Sequence, residues 1–273
     1  MRQPRSDFIL FYLFCTFFIL LIGFPFFWQI TNSLKIEKEI FELRWMPSRI
    51  ILNNYKEAFI RQPLLKFLFN SSIISSGATV LALLFGSMAA YSLARTDIRG
   101  KRLILLIILS VSLLPPIVII NPIYSIIRSL KLLNSHFGLM MVDTLFGLTI
   151  SVWFLTPYFQ SVPMDLEESA FIDGASPFLS FRKIIIPIVT PGIFTVGILV
   201  FIKAWNDFLF ALVLNPIRAR TVTVGLKLYE SDNYIPWGTL MAASVVIVVP
   251  LIVVVLLLQK RIIGGLMEGG LKE

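Results

Sequence analysis

Cysteine and histidine are nearly absent from this chain, with one of each, Cys15 and His136, in 273 residues. A lone cysteine excludes an intrachain disulfide, and with one histidine there is no Cys/His metal cluster. No HExxH pair occurs, and a single histidine in a polar gap supports no Ser–His–Asp set. No catalytic residue and no metal ligand is therefore assigned. Charge is scarce as well. Only 15% of residues are charged and 57% are hydrophobic, whereas soluble domains carry about 25% and about 45–50%. A soluble globular enzyme is excluded. The chain also lacks a GxxxxGK[ST] loop, so it has no cradle of its own for nucleotide phosphates.

The net charge of +8 is spread over polar gaps between long apolar runs, and most of the 24 Phe lie inside those runs. Nucleic-acid binding asks for basic residues gathered on one face with aromatics between them. The pattern here is that of charges flanking membrane spans. Six apolar stretches, near 8–30, 72–94, 103–127, 139–161, 188–214 and 238–258, reach the roughly 20 residues a spanning helix needs. The first follows Arg2 and Arg5. It is too long for a signal peptide, and no small-x-small cleavage site follows Trp28, so it reads as an uncleaved span.

Three spans carry distinctive residues. Ala78, Ala82, Gly86, Ala90 and Ala94 recur every four residues, a small-residue ridge on which a second backbone can approach closely. Its partner is either within the chain or on another subunit. Pro115, Pro116 and Pro122 must kink or break the third span, which suits a transport path and packing alike. In the fifth, Lys203 and Asp207 stand four apart on one helical face and can pair, with Trp205 and Asn206 between them. Intramembrane charges usually face a bundle interior or an aqueous cavity, although both also sit near the end of the span.

Basic residues are nearly balanced between the two sides. The positive-inside rule weights short segments beside spans, and Arg95, Arg99, Lys101 and Arg102 make the 95–102 gap the densest. That places 95–102, 162–187 and both termini in the cytoplasm.

The 162–187 gap looks structured. Pro163 and Asp165 open a short helix whose acids at 165, 167 and 168 suit its positive N-terminal end. Gly174 supplies a left-handed stop, and Ser176–Pro177 has the cap pattern of a second helix. On the first helix Leu166, Ala170 and Asp173 share one face, and Glu167 and Phe171 another. A short helix with a small central residue can fit a cleft on another protein. An interfacial helix on lipid headgroups is the bland alternative, and its initial acids make anionic lipid a poor partner.

Glu168-Ser169-Ala170-Phe171-Ile172-Asp173-Gly174-Ala175, followed by Pro187 and Pro191, resembles the EAA loop of ABC importer permeases, with Ser169 in place of the first alanine. Asn54-Tyr55-Lys56-Glu57-Ala58-Phe59, Asn70-Ser71, Ala89 to Arg95, Arg99-Gly100-Lys101, Trp205-Asn206-Asp207-Phe208 and the tail from Gly264 to Lys272 look like the carbohydrate-type permeases. They are similar to the second permease subunit of the maltose transporter. The resemblance implies an all-α membrane protein with six transmembrane helices, the type I ABC importer permease fold, and a cytoplasmic coupling helix between spans four and five. It further implies an N-terminal span and long external loop over 1–66, a core permease domain with five spans over 67–260 and a cytoplasmic tail over 261–273.

By the same resemblance, Glu167, Glu168, Ser169, Ala170, Asp173, Gly174 and Pro187 would couple to a cytoplasmic ABC ATPase dimer. Lys203, Trp205, Asn206 and Asp207 would line a substrate path. The expected partners are a second, related permease in a heterodimer, that ATPase, an extracytoplasmic substrate-binding protein and the lipid bilayer, with no nucleic acid. This chain would bind no cofactor, ATP and Mg being used by the partner ATPase, and it would not itself be an enzyme. The expected location is a bacterial or archaeal cytoplasmic (inner) membrane. The cargo would be a sugar, a polyol or a relative such as glycerol phosphate. The competing reading is a stand-alone carrier or channel using Lys203 and Asp207, a class that usually carries paired repeats or more intramembrane charge.

Overall fold

The computed structural model describes residues 5–231 and 234–270, with side chains described over 11–231 and 234–258. The whole cytoplasmic tail expected over 261–273 thus lies outside the described side chains. Every named element among the described residues is helical: α1 (Arg5–Ser33), α2 (Glu37–Phe41), α3 (Asn53–Arg61), α4 (Leu64–Arg95), α5 (Lys101–Leu113), α6 (Pro116–Ser129), α7 (His136–Ser161), α8 (Asp165–Ile172), α9 (Pro177–Ser180), a π-helical turn (Phe181–Ile185), α10 (Ile186–Trp205), α11 (Leu209–Leu214), α12 (Val222–Lys227) and α13 (Trp237–Gly270).

Five helical stretches among the described residues are long and apolar enough to cross a bilayer: Phe11–Ser33, Leu64–Arg95, His136–Ser161, Pro177–Trp205 and Trp237–Leu258. Helices α5 and α6 make a sixth when taken together, bent by 95° at their junction. Adjacent prolines cause the bend. A residue that precedes proline is pushed out of the helical region, so Pro115 and Pro116 force both Leu114 (ψ 127°) and Pro115 (ψ 127°) to be extended. Pro116 then opens α6, where its missing N–H costs nothing. Pro122 lies within α6 without ending it. The break that the sequence requires in span three therefore falls at one point. The expected fifth span, 188–214, is corrected: its helix ends at Trp205, and α11 is separate.

The described residues divide into two compact units, one within 1–65 and 225–249 and the other within 66–224 and 250–273. In the first, the segment after α1 is folded tightly around one lysine. Lys35 is fully buried, donates to Asn32 Oδ1 at 2.8 Å and to the Arg44 carbonyl, and lies 4.5 Å over the Trp28 ring. Asn54 donates to the carbonyls of Ser33 and Lys35, both at 2.9 Å, and the Tyr229 hydroxyl donates to the Ala58 carbonyl. The framework role of Asn54 and Ala58 accounts for two residues of the Asn54–Phe59 pattern.

In the second unit α7 runs through the centre. One apolar cluster joins Leu139, Val142 and Phe146 to Ile74, Ile120, Phe210 and Leu214, and another joins Leu155, Phe159 and Val162 to Ala82, Ala90, Val189 and Val196. The small-residue ridge of α4 packs on α7. Ala78, Ala82 and Ala90 are fully buried, and a Cβ added to Gly86 would stand 2.4 Å from Ser151 Cβ. A Cβ on Gly147 would stand 2.8 Å from Ala82 Cβ. The ridge thus finds its partner inside the chain. Asn70 and Ser71 tie α4 to the strand of loop before α12: Asn70 donates to the Arg220 carbonyl at 2.8 Å, and Ser71 Oγ accepts from Val222 N–H at 2.9 Å.

Candidate functional site

The segment between α7 and α10 takes its shape from local hydrogen bonds. Gly174 adopts φ +83°, its N–H bonds to the Phe171 carbonyl at 3.0 Å, and Ala175 N–H bonds to the Ala170 carbonyl at 2.9 Å. This paired closure is the glycine stop that frees α8 from its last unsatisfied carbonyls. One residue on, Ser176 Oγ accepts from Leu179 N–H at 3.3 Å and Pro177 takes the first helical position, as the cap pattern predicts. The π-helical turn then leads into α10, whose first turn carries exposed Pro187.

The faces of α8 differ from the expected ones. Its buried stripe is Glu167 (5% exposed) and Ala170 (7%), three residues apart, while Leu166 and Asp173 are exposed. The reason is the surroundings of Glu167. Tyr91 donates to Glu167 Oε2 at 2.6 Å, and Arg95 forms an ion pair with Oε1. Arg95 also donates to the Val162 carbonyl at 2.9 Å. The carboxylate is thereby turned toward α4, where charge-assisted bonds satisfy it. Of the residues grouped with it, Glu168, Ser169, Asp173 and Gly174 face outward. The Ser169 hydroxyl donates to the Asp165 carbonyl at 2.8 Å on its own helix, so the replacement of alanine adds no unmet polar group. Outward too are Leu166, Phe171, Phe178, Leu179 and Ile172, the last 87% exposed.

Tyr91 and Arg95 belong to the Ala89–Arg95 pattern, but nothing in the sequence assigns them to Glu167. Arg95 reads from the sequence as a topological charge, although its spacing of four from Tyr91 puts both on one face at the end of α4, where they meet a buried carboxylate from the segment after α7.

The residues near the end of α10 do not form one lining. Asp207 lies two residues past the helix, in the break before α11, so the expected same-face spacing with Lys203 does not apply. No carboxylate among the described residues lies within 4.0 Å of Lys203; its Nζ stands 4.3 Å over the Phe146 ring. Asp207 instead caps α11, Oδ2 accepting from Ala211 N–H at 2.9 Å, and its carbonyl accepts from Thr223 Oγ1 at 2.6 Å. Trp205 is buried (1% exposed) and stacks on Phe201. Asn206 is exposed and donates to the Ile202 carbonyl at 2.8 Å. Lys203 and Asp207 thus form no ion pair, the contact on which the carrier reading leaned.

A further residue belongs here. Asp143 on α7 is 4% exposed, and its Oδ2 has no hydrogen-bond partner among the described residues. Lys203 and Asp207 both act on it electrostatically. It was detectable, being the one acid inside α7.

The family described as "binding-protein-dependent transport system inner membrane component" matches residues 82–266. The chain belongs to that family. The permease is 40% identical to the sulfoquinovosyl glycerol transport system permease protein of Agrobacterium fabrum, over 93% of this chain and 91% of that one. It is 36% identical to the trehalose transport system permease protein of Mycobacterium tuberculosis, over 93% and 94%. Its fold is that of a solved bacterial ABC transporter involved in the import of the acidic polysaccharide alginate, with a TM-score of 0.75 and 23% identity over 95% of this chain and 99% of that one. The permease is thus an all-helical inner-membrane component of a transport system that depends on a binding protein.

Proposed function

We propose that this permease forms half of the translocation path of an ATP-driven importer for a sugar or sugar-like solute, the other half being a second, related permease. A cytoplasmic ABC ATPase dimer, using ATP and Mg, supplies the energy, and an extracytoplasmic binding protein delivers the solute. The carrying observation is the geometry of α8. A capped helix outside the spans is anchored from behind by Glu167 and presents Leu166, Phe171 and Ile172 outward, beside Glu168 and Asp173. Such a surface is unsuited to water and suited to a cleft on a protein partner. Glu168, Ser169, Ala170, Asp173 and Gly174 then shape the coupling helix, Glu167 holds it, and Pro187 marks the return to the membrane.

This role places 95–102, 162–187 and both termini in the cytoplasm, in line with the basic cluster at 95–102. Lys203, Asn206 and Asp207, backed by Asp143, offer polar contacts to the solute, and Trp205 supports them from within. The cargoes for which these relatives are named, sulfoquinovosyl glycerol and trehalose, favour a carbohydrate. The test is purification of tagged permease from its native membrane in mild detergent, with mass spectrometry of what accompanies it. A second permease and an ABC ATPase are expected. Recovery of this chain alone, as a stable homo-oligomer, would overturn the reading.

A further inference from the structure

Glu167 is held by more than the ion pair alone. Tyr91 and Arg95, one turn apart on α4, grip the two oxygens of its carboxylate, and Arg95 reaches past it to the carbonyl of Val162, the residue that closes α7. Behind this lies an aromatic cluster: the Tyr91 ring is 5.8 Å from Phe159 on α7 and 4.8 Å from Phe181 in the π-helical turn. Four elements (α4, α7, α8 and the π turn) therefore meet at one buried knot. Its polar half is made of charge-assisted bonds, which are directional and stiff. Its apolar half is close-packed, so displacement of one member must move the others.

Resting on the coupling role proposed for α8, we infer that Tyr91, Arg95 and Glu167 form the joint that passes motion of α8 to the membrane helices α4 and α7. Glu167 is on this account a positioning residue. It faces away from the outward surface of α8, and its effect on a partner is exerted through Arg95 and Tyr91. Without the joint, α8 remains continuous with α7 only through residues 162–164, and a push on its outer surface can be absorbed there. Two packed arrangements of α4 against α7 would then no longer be biased by what α8 binds, which is the condition for coupling between distant sites.

The test uses the complete assembly, purified with its ATPase and placed in lipid nanodiscs, with ATP and Mg as the probe and hydrogen exchange by mass spectrometry as the readout. In wild type, ATP should alter exchange in peptides of 162–187 and also of 64–95 and 136–161. In Glu167→Gln the ATPase should still co-purify and the change at 162–187 persist, while the change in α4 and α7 falls by about fivefold. Tyr91→Phe, which keeps the ion pair, should show a smaller fall of about twofold. The exchange of charges, Arg95→Glu with Glu167→Arg, should restore part of the response. An unaltered response of α4 and α7 in Glu167→Gln overturns the inference. So does loss of the ATPase from Glu167→Gln together with a full response in Tyr91→Phe, which would leave the knot a folding role only. No response at 162–187 in wild type would instead refute the coupling role itself.

Discussion

Replacing Gly86 by alanine puts a methyl carbon 2.4 Å from Ser151 Cβ, across the contact of α4 with α7. Carbon atoms at rest stand about 3.5–4.0 Å apart, so one helix must retreat by more than an ångström or Ser151 must shift with its backbone. Overpacking of this kind costs about 1–3 kcal/mol. A 2.4 Å approach belongs in the upper part of that range, so even after alanine returns up to about 1 kcal/mol through its better helix propensity, a net loss of about 1–2 kcal/mol remains. Detergent-purified protein should then melt about 2–8 °C lower. The decisive measurement is the second leg of a double-mutant cycle. Ser151→Gly removes the very atom in conflict, and Ser151 Oγ has no hydrogen-bond partner among the described residues, so no hydrogen bond is lost with it. The propensity cost of a glycine inside α7 is offset in the pair by the alanine gained in α4. Gly86→Ala with Ser151→Gly should recover most of the stability, a coupling of about 1 kcal/mol or more. An unchanged melting point in Gly86→Ala, or additivity in the pair, would refute the close approach of α4 to α7.

Gly174→Ala is a different case, because nothing lies within 4 Å of the added Cβ and only the φ of +83° is at odds with a side chain. The cost is about 1–2 kcal/mol of backbone strain, so the protein should insert normally while α8 loses its stop. Weaker co-purification of the ATPase at unchanged expression is the expected result. Lys35→Met keeps the bulk of the side chain but strands Asn32 Oδ1 and the Arg44 carbonyl. A loss of about 1–3 kcal/mol should appear as faster limited proteolysis within residues 31–65. Tyr229, buried, has its phenol pushed up to about 12 by desolvation of the charged form. Between its ordinary value near 10 and about 12 the folded protein keeps a proton that the unfolded chain releases, so stability should fall as pH rises through this window. Tyr229→Phe should flatten that fall, and should cost about 1 kcal/mol at neutral pH through the lost bond to the Ala58 carbonyl.

What could be read along the chain was read by local rules. Hydropathy marks the spans because each must be apolar over its own length. Pro115–Pro116 announces the 95° bend because a proline constrains its immediate neighbour, and Gly174 and Ser176–Pro177 announce the ends of α8 and the start of α9 because caps involve residues at most five apart. The small-residue ridge was legible as a close contact, though not its partner. The end of α10 is not legible in hydropathy, since the apolar run continues to Leu214 while the helix stops at Trp205. Asp207 finds a better use in capping α11 than in facing Lys203.

The sequence by itself thus determined the membrane character, the number of apolar stretches, the broken third span and the cap-delimited loop helix with its family pattern. Only the tertiary structure decided that Glu167 turns inward to Tyr91 and Arg95, 76 and 72 residues away, that Lys203 lies over Phe146, and that Asp143 is buried within electrostatic reach of Lys203 and Asp207. The difference is physical. Hydropathy, proline geometry and capping act between neighbours in the chain, whereas the direction in which a charge points is settled by whichever distant groups can satisfy it once it has left water.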